Sequence, residues 1–250
     1  LLGQRGLDVS HVQRDATLST GEARADEVGA SGQMSFVISE NAAWDQLEIT
    51  KDLAELAGRA DAVCFGTLAQ RAPIARATVR RFLAALRPDA LKVFDANLRA
   101  PFYSAEIVAA SLESADVCKL NEAELPLVAE MLGLGGRGDH AQAHRLVQVF
   151  DLALVCVTRG SRGCLLVTPD DIAEHGGYRV VVRDAVGAGD FFNAAAAHHF
   201  LRGAPLEEVA ARANLLGAWA ATQEGAMPPA PEEGGIEAAL AEIAKSRPEG

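Results

Sequence analysis

Short apolar runs alternate with amphipathic helical patterns along most of the chain. The apolar runs are continuous rather than strictly alternating, which is typical of strands that are covered on both faces. Strands are predicted at 62–68, 91–96, 116–120 and 152–158, and helices at 51–59, 73–87, 104–112, 122–132 and 141–150. Strand–helix alternation of this kind predicts right-handed βαβ crossovers and a parallel sheet.

The remaining segments lie outside this strand–helix alternation. Residues 163–168 and 178–182 are predicted to form a local antiparallel pair of strands, and helices are predicted near 188–202, 206–223 and 235–245. Residues 17–38 are polar, alternating and punctuated by glycine, which indicates exposed strands. Such strands fit either a small flap over a site or a plain edge hairpin, and the pattern leaves both open.

Composition narrows the class of protein. A chain of 250 residues makes one large domain or two small ones. Its net charge of −11 argues against nucleic acid or an anionic membrane as a partner attracted by the overall field. The longest apolar stretches are far shorter than the roughly 20 residues that span a bilayer. The sequence therefore predicts a soluble protein.

The cysteines bear on the cellular compartment, and the first residues bear on where the fold begins. The four cysteines fit neither a zinc pattern nor a dense disulfide framework, and reduced thiols suit the cytoplasm. No secretion signal is recognisable at the start. The opening LLGQRG has no methionine and is typical of a helix end capped by Gly6, so we expect N-terminal elements of the fold to be missing.

The segment Asp184–Asp190, DAVGAGD, carries the clearest candidate chemistry. Gly187 and Gly189 permit a close approach of the backbone, and a helix N-terminus directs free N–H groups at an anion. Asp190, in the first turn of that helix, would stay ionised and could accept a proton from a substrate hydroxyl. This arrangement suits phosphoryl transfer from ATP. The alternative is a glycine-rich turn in which aspartate merely favours the helix start.

Two other patterns are less informative. GLGGRG at 133–138 matches the dinucleotide-binding pattern literally, but it follows a helical pattern rather than a strand, so a loop is predicted. The six histidines lack the spacing of paired metal ligands.

Polar residues follow several of the predicted buried strands. Asp95, Asn97 and Arg99 lie at the end of one strand and in its loop, and Lys119, Asn121 and Glu124 lie at the end of the next and in its loop. Ligands of parallel α/β sheets bind at the carboxyl ends of strands. Asn121 and Glu124 could therefore face a metal–phosphate, or they could form a capping box at a helix start.

A third strand end carries the segment VTRGSRG. Thr158 and Gly160 in this segment could touch a nucleotide, or the segment could be a simple hairpin turn. The placement of its glycines is compatible with both.

Taken together, and in their order along the chain, the motifs resemble those of the ribokinase-like (PfkB) carbohydrate kinases. DAVGAGD is similar to the signature D-T-x-G-A-G-D, NEAE to N-x-x-E, and VTRGSRG to the nucleotide loop of that family. FGTLAQR and FDANLR resemble bacterial fructokinases in particular. The resemblance implies an α/β, three-layer ribokinase-like sandwich with a mainly parallel central sheet. It also implies one partial kinase domain over 1–250, with 17–38 as the remnant of a β lid.

The resemblance also implies roles for individual residues. Asp190 would be the general base, and Gly187, Ala188 and Gly189 would supply the amides of an anion hole. Asn121 and Glu124 would position Mg–ATP, the glutamate through water, and Asp184 would lie near a monovalent-cation site. Residues expected beside the nucleotide are Thr158, Gly160, Asn214 and Gly217, and those expected on the sugar side are Asn97 and Arg99.

The expected activity is ATP-dependent phosphorylation of a sugar hydroxyl, with fructose favoured, ATP and Mg²⁺ as cofactors and K⁺ as a further candidate. The chain departs from the family at Ala185, where the signature has threonine. It also departs at the start, where the acidic sugar-binding residue and the G-G-x-x-x-N segment have no counterpart. The alternatives are a nucleotide- or sugar-binding fragment with weak catalysis, and a kinase of a nucleoside or of 2-keto-3-deoxygluconate. A homodimer through the lid is a further expectation.

Overall fold

The computed structural model describes residues 3–28, 34–229 and 234–246. In this part of the chain the strands are β1 (Ala23–Val28), β2 (Met34–Ile38), β3 (Ala62–Gly66), β4 (Leu91–Asp95), β5 (Val117–Asn121), β6 (Leu154–Thr158), β7 (Cys164–Val167) and β8 (Ile172–His175). The α-helices are α1 (Lys51–Ala57), α2 (Pro73–Ala84), α3 (Ala105–Ser114), α4 (Glu124–Met131), α5 (Asp139–Phe150), α6 (Ala188–Leu201), α7 (Leu206–Ala221) and α8 (Gly235–Ala244). The predicted strands at 62–158 and their intervening helices are confirmed within a few residues.

The main sheet, in the part of the chain described, has the strand order β3-β4-β5-β6-β7-β8. Its first four strands run parallel, and β7 and β8 are added antiparallel to them. Strands β5, β6 and β7 are almost wholly buried, whereas β3 has exposed positions at Ala62 and Cys64. The prediction of a mainly parallel central sheet is therefore confirmed, with β3 less covered than its continuous apolar run suggested.

Helices cover the main sheet on both faces, which gives three layers. One face packs on α3, α4 and α5 through Leu112, Leu125 and Leu146. The other face packs on α6 and α7 through Phe192 and Val209. Because side chains alternate between faces along a strand, successive residues of β4 and β5 enter different cores. The predicted three-layer α/β sandwich is confirmed.

The predicted pairing of 163–168 with 178–182 is wrong in its second strand. The partner of β7 is β8, four residues after it, and its burial alternates between exposed and buried positions. The turn between them is closed by Thr168, whose backbone N–H and side-chain oxygen bond to Asp171. A tight turn therefore brings the nearer segment into the sheet. Val181 is 86% exposed and belongs to no strand.

The segment predicted as exposed strands forms a small sheet of its own, in which β1 and β2 pair antiparallel. Arg71 anchors the base of this sheet: its guanidinium donates to Ser39 O at 2.6 Å and to both carboxylate oxygens of Asp45. The same guanidinium lies over the rings of Trp44 and Phe102. Arg71 also lowers the pKa of the Asp45 carboxyl by hydrogen bonding to it. Arg71 thus links the chain just after β2 to the body of the protein, and its buried ion pair with Asp45 holds the guanidinium in place.

None of the helices in the described part of the chain combines the length and the apolar character that crossing a bilayer requires.

Candidate active site

The carboxyl ends of the parallel strands meet along one edge of the main sheet. Gly66 lies opposite Asp95, Asp95 opposite Lys119, and Asn121 opposite Thr158. Adjacent strands approach closely here, since a Cβ at Gly66 would lie 2.9 Å from Asp95 O. The polar residues predicted at successive strand ends are therefore brought to one place, where open α/β sheets bind their ligands.

The DAVGAGD segment forms the turn that begins α6. Gly187 precedes the helix with φ +86°, a left-handed conformation that favours glycine. Asp190, in the first turn, is exposed, while Gly187 and Gly189 are half-buried. The Ala188 N–H already donates to Ala185 O at 3.3 Å. The turn thus combines an accessible carboxylate with the positive end of a fourteen-residue helix.

This turn is held from behind by the segment that follows α7. Asp184 accepts hydrogen bonds from Val186 N at 2.9 Å and from Gly225 N at 3.2 Å. A Cβ at Gly187 would lie only 2.5 Å from Ala226 O, so the two backbones are in close contact. Asp184 therefore joins the turn to its support, and any role toward a cation comes in addition to that.

Asn121 and Glu124 form the reciprocal hydrogen bonds of a capping box. Asn121 Oδ1 accepts from Glu124 N at 2.9 Å, and Glu124 Oε2 accepts from Asn121 N at 2.9 Å. The other oxygen, Glu124 Oε1, accepts from Leu98 N at 2.7 Å. The structural alternative for this motif is thus realised. The buried Glu124 carboxylate also fixes the loop after β4 to the end of β5.

We expect Glu124→Gln to lower the free energy of unfolding by about 1–3 kcal/mol, because an amide group can satisfy only one of the two N–H donors and leaves the other buried without a partner. The matched control is Glu122→Gln in the same motif. Glu122 is exposed and pairs with Arg162, so its replacement should cost less than about 1 kcal/mol. Urea unfolding measures both free energies. Equal losses of unfolding free energy in the two variants would show that the buried hydrogen bonds of Glu124 add no stability beyond that of an exposed glutamate.

The VTRGSRG segment is the connection between β6 and β7. Arg159 N donates to Gly163 O at 2.7 Å, which closes the hairpin. Gly163 has φ +79°, and a Cβ there would lie 1.7 Å from His175 O, so only glycine fits. Thr158 lies at the strand end beside Asn121, and Gly160 is exposed with open space around it. The hairpin alternative is realised, and it leaves Thr158 and Gly160 at the same edge as the α6 turn.

Asn214 and Gly217 lie on α7 and are both buried. The Asn214 amide donates to Cys164 Sγ at 2.9 Å and to Ala210 O at 2.8 Å. A Cβ at Gly217 would lie 3.2 Å from Ala188 O, so this glycine permits α7 to pack closely against the first turn of α6. Their predicted place beside a nucleotide stays a prediction, and the contacts in the structure are those of helix packing.

The loop after β4 carries the residues predicted on the sugar side. Asn97 is exposed and has φ +37°, and Arg99 is half-buried with its Nη1 atom 3.3 Å from Leu98 O. Glu124 holds this loop through the backbone N–H of Leu98. The loop therefore has a defined position beside the capping box.

A buried ion pair lies beneath these loops. Lys119 Nζ is 3.2 Å from Asp95 Oδ1 and 3.3 Å from Asp95 Oδ2, and both side chains are about one-tenth exposed. Burial raises the pKa of the Asp95 carboxyl, although Lys119 opposes this effect. A Cβ at Gly189 would lie 3.2 Å from Lys119 Nζ, which places the ammonium group against the α6 turn.

The described residues contain no group of three or more histidine, cysteine, aspartate or glutamate side chains that could hold a metal ion. Glu124 is buried, and each of its oxygens already accepts a backbone hydrogen bond. Mg²⁺ commonly keeps several waters and is held through one or two carboxylates and substrate phosphates. The residues present fit that water-mediated mode rather than an all-protein cage.

The main features of the site were accessible from the sequence, but three features of the molecule were not. The contact between Lys119 and Gly189 joins β5 to a turn 70 positions later, and no local spacing indicates it. The Arg71–Asp45 pair was also missed, because its two residues lie 26 positions apart and no local spacing joins them. A cavity of about 550 Å³ lined by Arg179, Arg183 and Ile243 was likewise not anticipated.

The described residues combine a three-layer α/β sandwich, a polar edge at the carboxyl ends of its strands and a glycine-rich helix start that carries a carboxylate. The family model described as pfkB family carbohydrate kinase matches residues 1–233. The chain belongs to this family of carbohydrate kinases. The glycine-rich segment at 133–138, predicted as a loop, joins α4 to α5 and follows no strand.

Individual relatives agree with this assignment. The chain is 28% identical to a fructokinase-1 of Oryza sativa over 249 residues, which cover 93% of this chain and 75% of that protein. It matches a Vibrio cholerae fructokinase, solved with fructose, ADP and a calcium ion, at 25% identity and a TM-score of 0.78, over 96% of this chain and 79% of that one.

A Burkholderia thailandensis nucleoside kinase solved with inosine shares the fold, with a TM-score of 0.73 at 20% identity, over 97% of this chain and 75% of that one. Fold similarity therefore extends across both substrate classes.

Proposed function

We propose that this chain transfers the γ-phosphoryl group of ATP to a hydroxyl of a hexose or related sugar, with fructose as the first candidate. The observation that carries the proposal is the exposed Asp190 carboxylate in the first turn of α6, directly after the left-handed Gly187. This turn lies against the carboxyl edge of the main sheet through the contact between Gly189 and Lys119.

In the proposed reaction, Asp190 takes the proton of the sugar hydroxyl as its oxygen attacks the γ-phosphorus. The bond from that phosphorus to the bridging oxygen breaks, and ADP leaves with the electron pair. Charge accumulates on the transferring group, and helix N-terminal amides stabilise such charge. Of the three candidate residues, Gly187 and Gly189 are the better donors, since the Ala188 N–H already has a partner.

The remaining candidates have supporting positions. Thr158 and Gly160 would lie beside the nucleotide, while Asn214 and Gly217 would shape the α7 surface behind it. Asn97 and Arg99, in the loop held by Glu124, would face the sugar. Magnesium would neutralise phosphate charge, with Asn121 and Glu124 positioning its water ligands. Asp184 would act near a monovalent cation through the backbone of the turn it supports.

The small sheet of β1 and β2 is proposed as the lid over the sugar, because its strands form a sheet separate from the main one and Arg71 binds the chain just after β2. The homodimer through this sheet stays a prediction. A cytoplasmic location also stays a prediction.

An ADP-release assay on the purified chain tests the function. The panel contains fructose, glucose, ribose, 2-keto-3-deoxygluconate and inosine, each with MgATP in potassium chloride and in tetramethylammonium chloride. We expect the highest kcat/KM for fructose and a higher rate with potassium. A preference for inosine or 2-keto-3-deoxygluconate would support the kinase activity but show that fructose is not the preferred substrate. If no acceptor raises ADP release above that of the Asp190→Asn variant, the proposed kinase activity is wrong. A binding protein without catalysis would then be the better interpretation.

A further inference from the structure

The Lys119–Asp95 pair is a charged group at the site that the proposed reaction does not use. Its two side chains come from adjacent parallel strands and are about nine-tenths buried, so each depends on the other for charge compensation. Both lie on the face of the sheet that α6 and α7 cover, because Leu91, Val93 and Val117 on the same strands belong to that core.

The pair also contacts the turn at the start of α6. The ammonium group occupies the place that a side chain at position 189 would need, since a Cβ there would come within 3.2 Å of Nζ. A lysine this close to a helix N-terminus places a second positive charge beside the partial charge of the helix. Asp95, in turn, holds that ammonium group in one position.

The acidic groups of the site surround this cation. The pKa of the Asp95 carboxyl is raised first by desolvation and further by the charges of Glu124 and Asp190, while Lys119 lowers it. The Lys119 ammonium group therefore offsets part of the negative charge that Glu124 and Asp190 exert on Asp95. Without that ammonium group, an incoming phosphate would meet more negative charge at the start of α6.

We propose that Lys119, held by Asp95, is a positioning residue for phosphoryl transfer: it fixes the backbone at Gly189 and adds positive charge behind the anion-binding turn. Because its side chain is only 9% exposed, Lys119 acts on the phosphate through the turn at the start of α6 rather than by touching the substrate. This inference rests on the proposed function, and its test contains a measurement that does not depend on turnover.

The test uses Lys119→Met alone and together with Asp95→Asn. The single variant leaves a buried carboxylate without a counter-charge, and we expect its Tm to fall by about 10 °C. The double variant removes both charges and should regain most of that Tm. If the pair only stabilised the fold, activity would return with stability. We expect instead that kcat stays about 10- to 100-fold below the wild type, while KM for ATP changes less than about threefold.

The matched control is the Lys92–Asp116 pair on the same two strands, in which Lys92 Nζ lies 3.1 Å from Asp116 Oδ1. It belongs to the opposite end of the strands, away from the α6 turn. Lys92→Met with Asp116→Asn should leave kcat unchanged. A control that loses as much activity as the Lys119 double variant would overturn the proposal, as would a double variant with kcat within threefold of the wild type or with no recovery of Tm.

Hydrogen exchange followed by mass spectrometry supplies the independent measurement. Deuterium uptake in a peptide covering 185–192 should rise in the Lys119 double variant and stay unchanged in the Lys92 control. If the wild type turns over none of the acceptors, the proposed function fails, and this measurement still decides whether the pair fixes the turn. Unchanged uptake would overturn the positioning role even in an active enzyme.

Discussion

Replacing Asp190 by asparagine is expected to lower kcat about 10²- to 10⁴-fold, because the isosteric amide cannot accept the hydroxyl proton. The affinity for MgATP, measured by calorimetry, should change little, since Asp190 is exposed in the first turn and supports no packing. The expected result is thus a loss in kcat with binding retained.

The matched control for this variant is Glu237→Gln, which removes an exposed first-turn carboxylate from α8. Its kcat should equal that of the wild type. Should Asp190→Asn retain more than a tenth of the wild-type kcat, Asp190 is not the base, and the proton must leave by another route.

The second large effect is expected from Gly187→Ala. The substitution places a methyl group 2.5 Å from Ala226 O at a residue with φ +86°. Backbone strain and the steric clash together should lower the free energy of unfolding by about 2–5 kcal/mol. The shift of the turn should also reduce kcat well below a tenth of the wild-type value, because the amides would no longer face the transferring group.

Gly203→Ala, at the other end of α6, separates the two causes. Gly203 has φ +71°, and a Cβ there would meet no atom within 4 Å, so only the conformational cost of about 1 kcal/mol applies. Urea unfolding and the ADP-release assay are run on both variants. Equal destabilisation in the two would mean that the contact with Ala226 relaxes freely and that the turn is not held from behind.

The sequence predicted the main sheet well because each of its parallel strands and intervening helices is specified by the residue pattern within that short segment. Each of β4, β5 and β6 is a short apolar run followed by a polar residue, and the helices between them show regular amphipathic spacing. The error at 178–182 has a physical reason: Val181 belongs to an apolar run, yet the tight turn at Thr168–Asp171 had already supplied a closer partner for β7.

The candidate site was predictable in its parts and not in its contacts. The left-handed Gly187 and the strand-end position of Asn121 follow from local pattern. The contact of Lys119 with Gly189 depends on how α6 packs over the sheet, which is a tertiary property. The dual use of Glu124, which caps its own helix and holds Leu98, likewise appears only once β4 and β5 are adjacent.

The beginning of the chain has a bearing on the site through Arg5. Its guanidinium donates to Met227 O at 2.6 Å and to Pro228 O at 2.9 Å, directly after the residue against which Gly187 packs. Removing Arg5 would therefore weaken the support behind the turn at the start of α6. The choice of N-terminal boundary and affinity tag is consequently a biochemical variable in any assay of this protein.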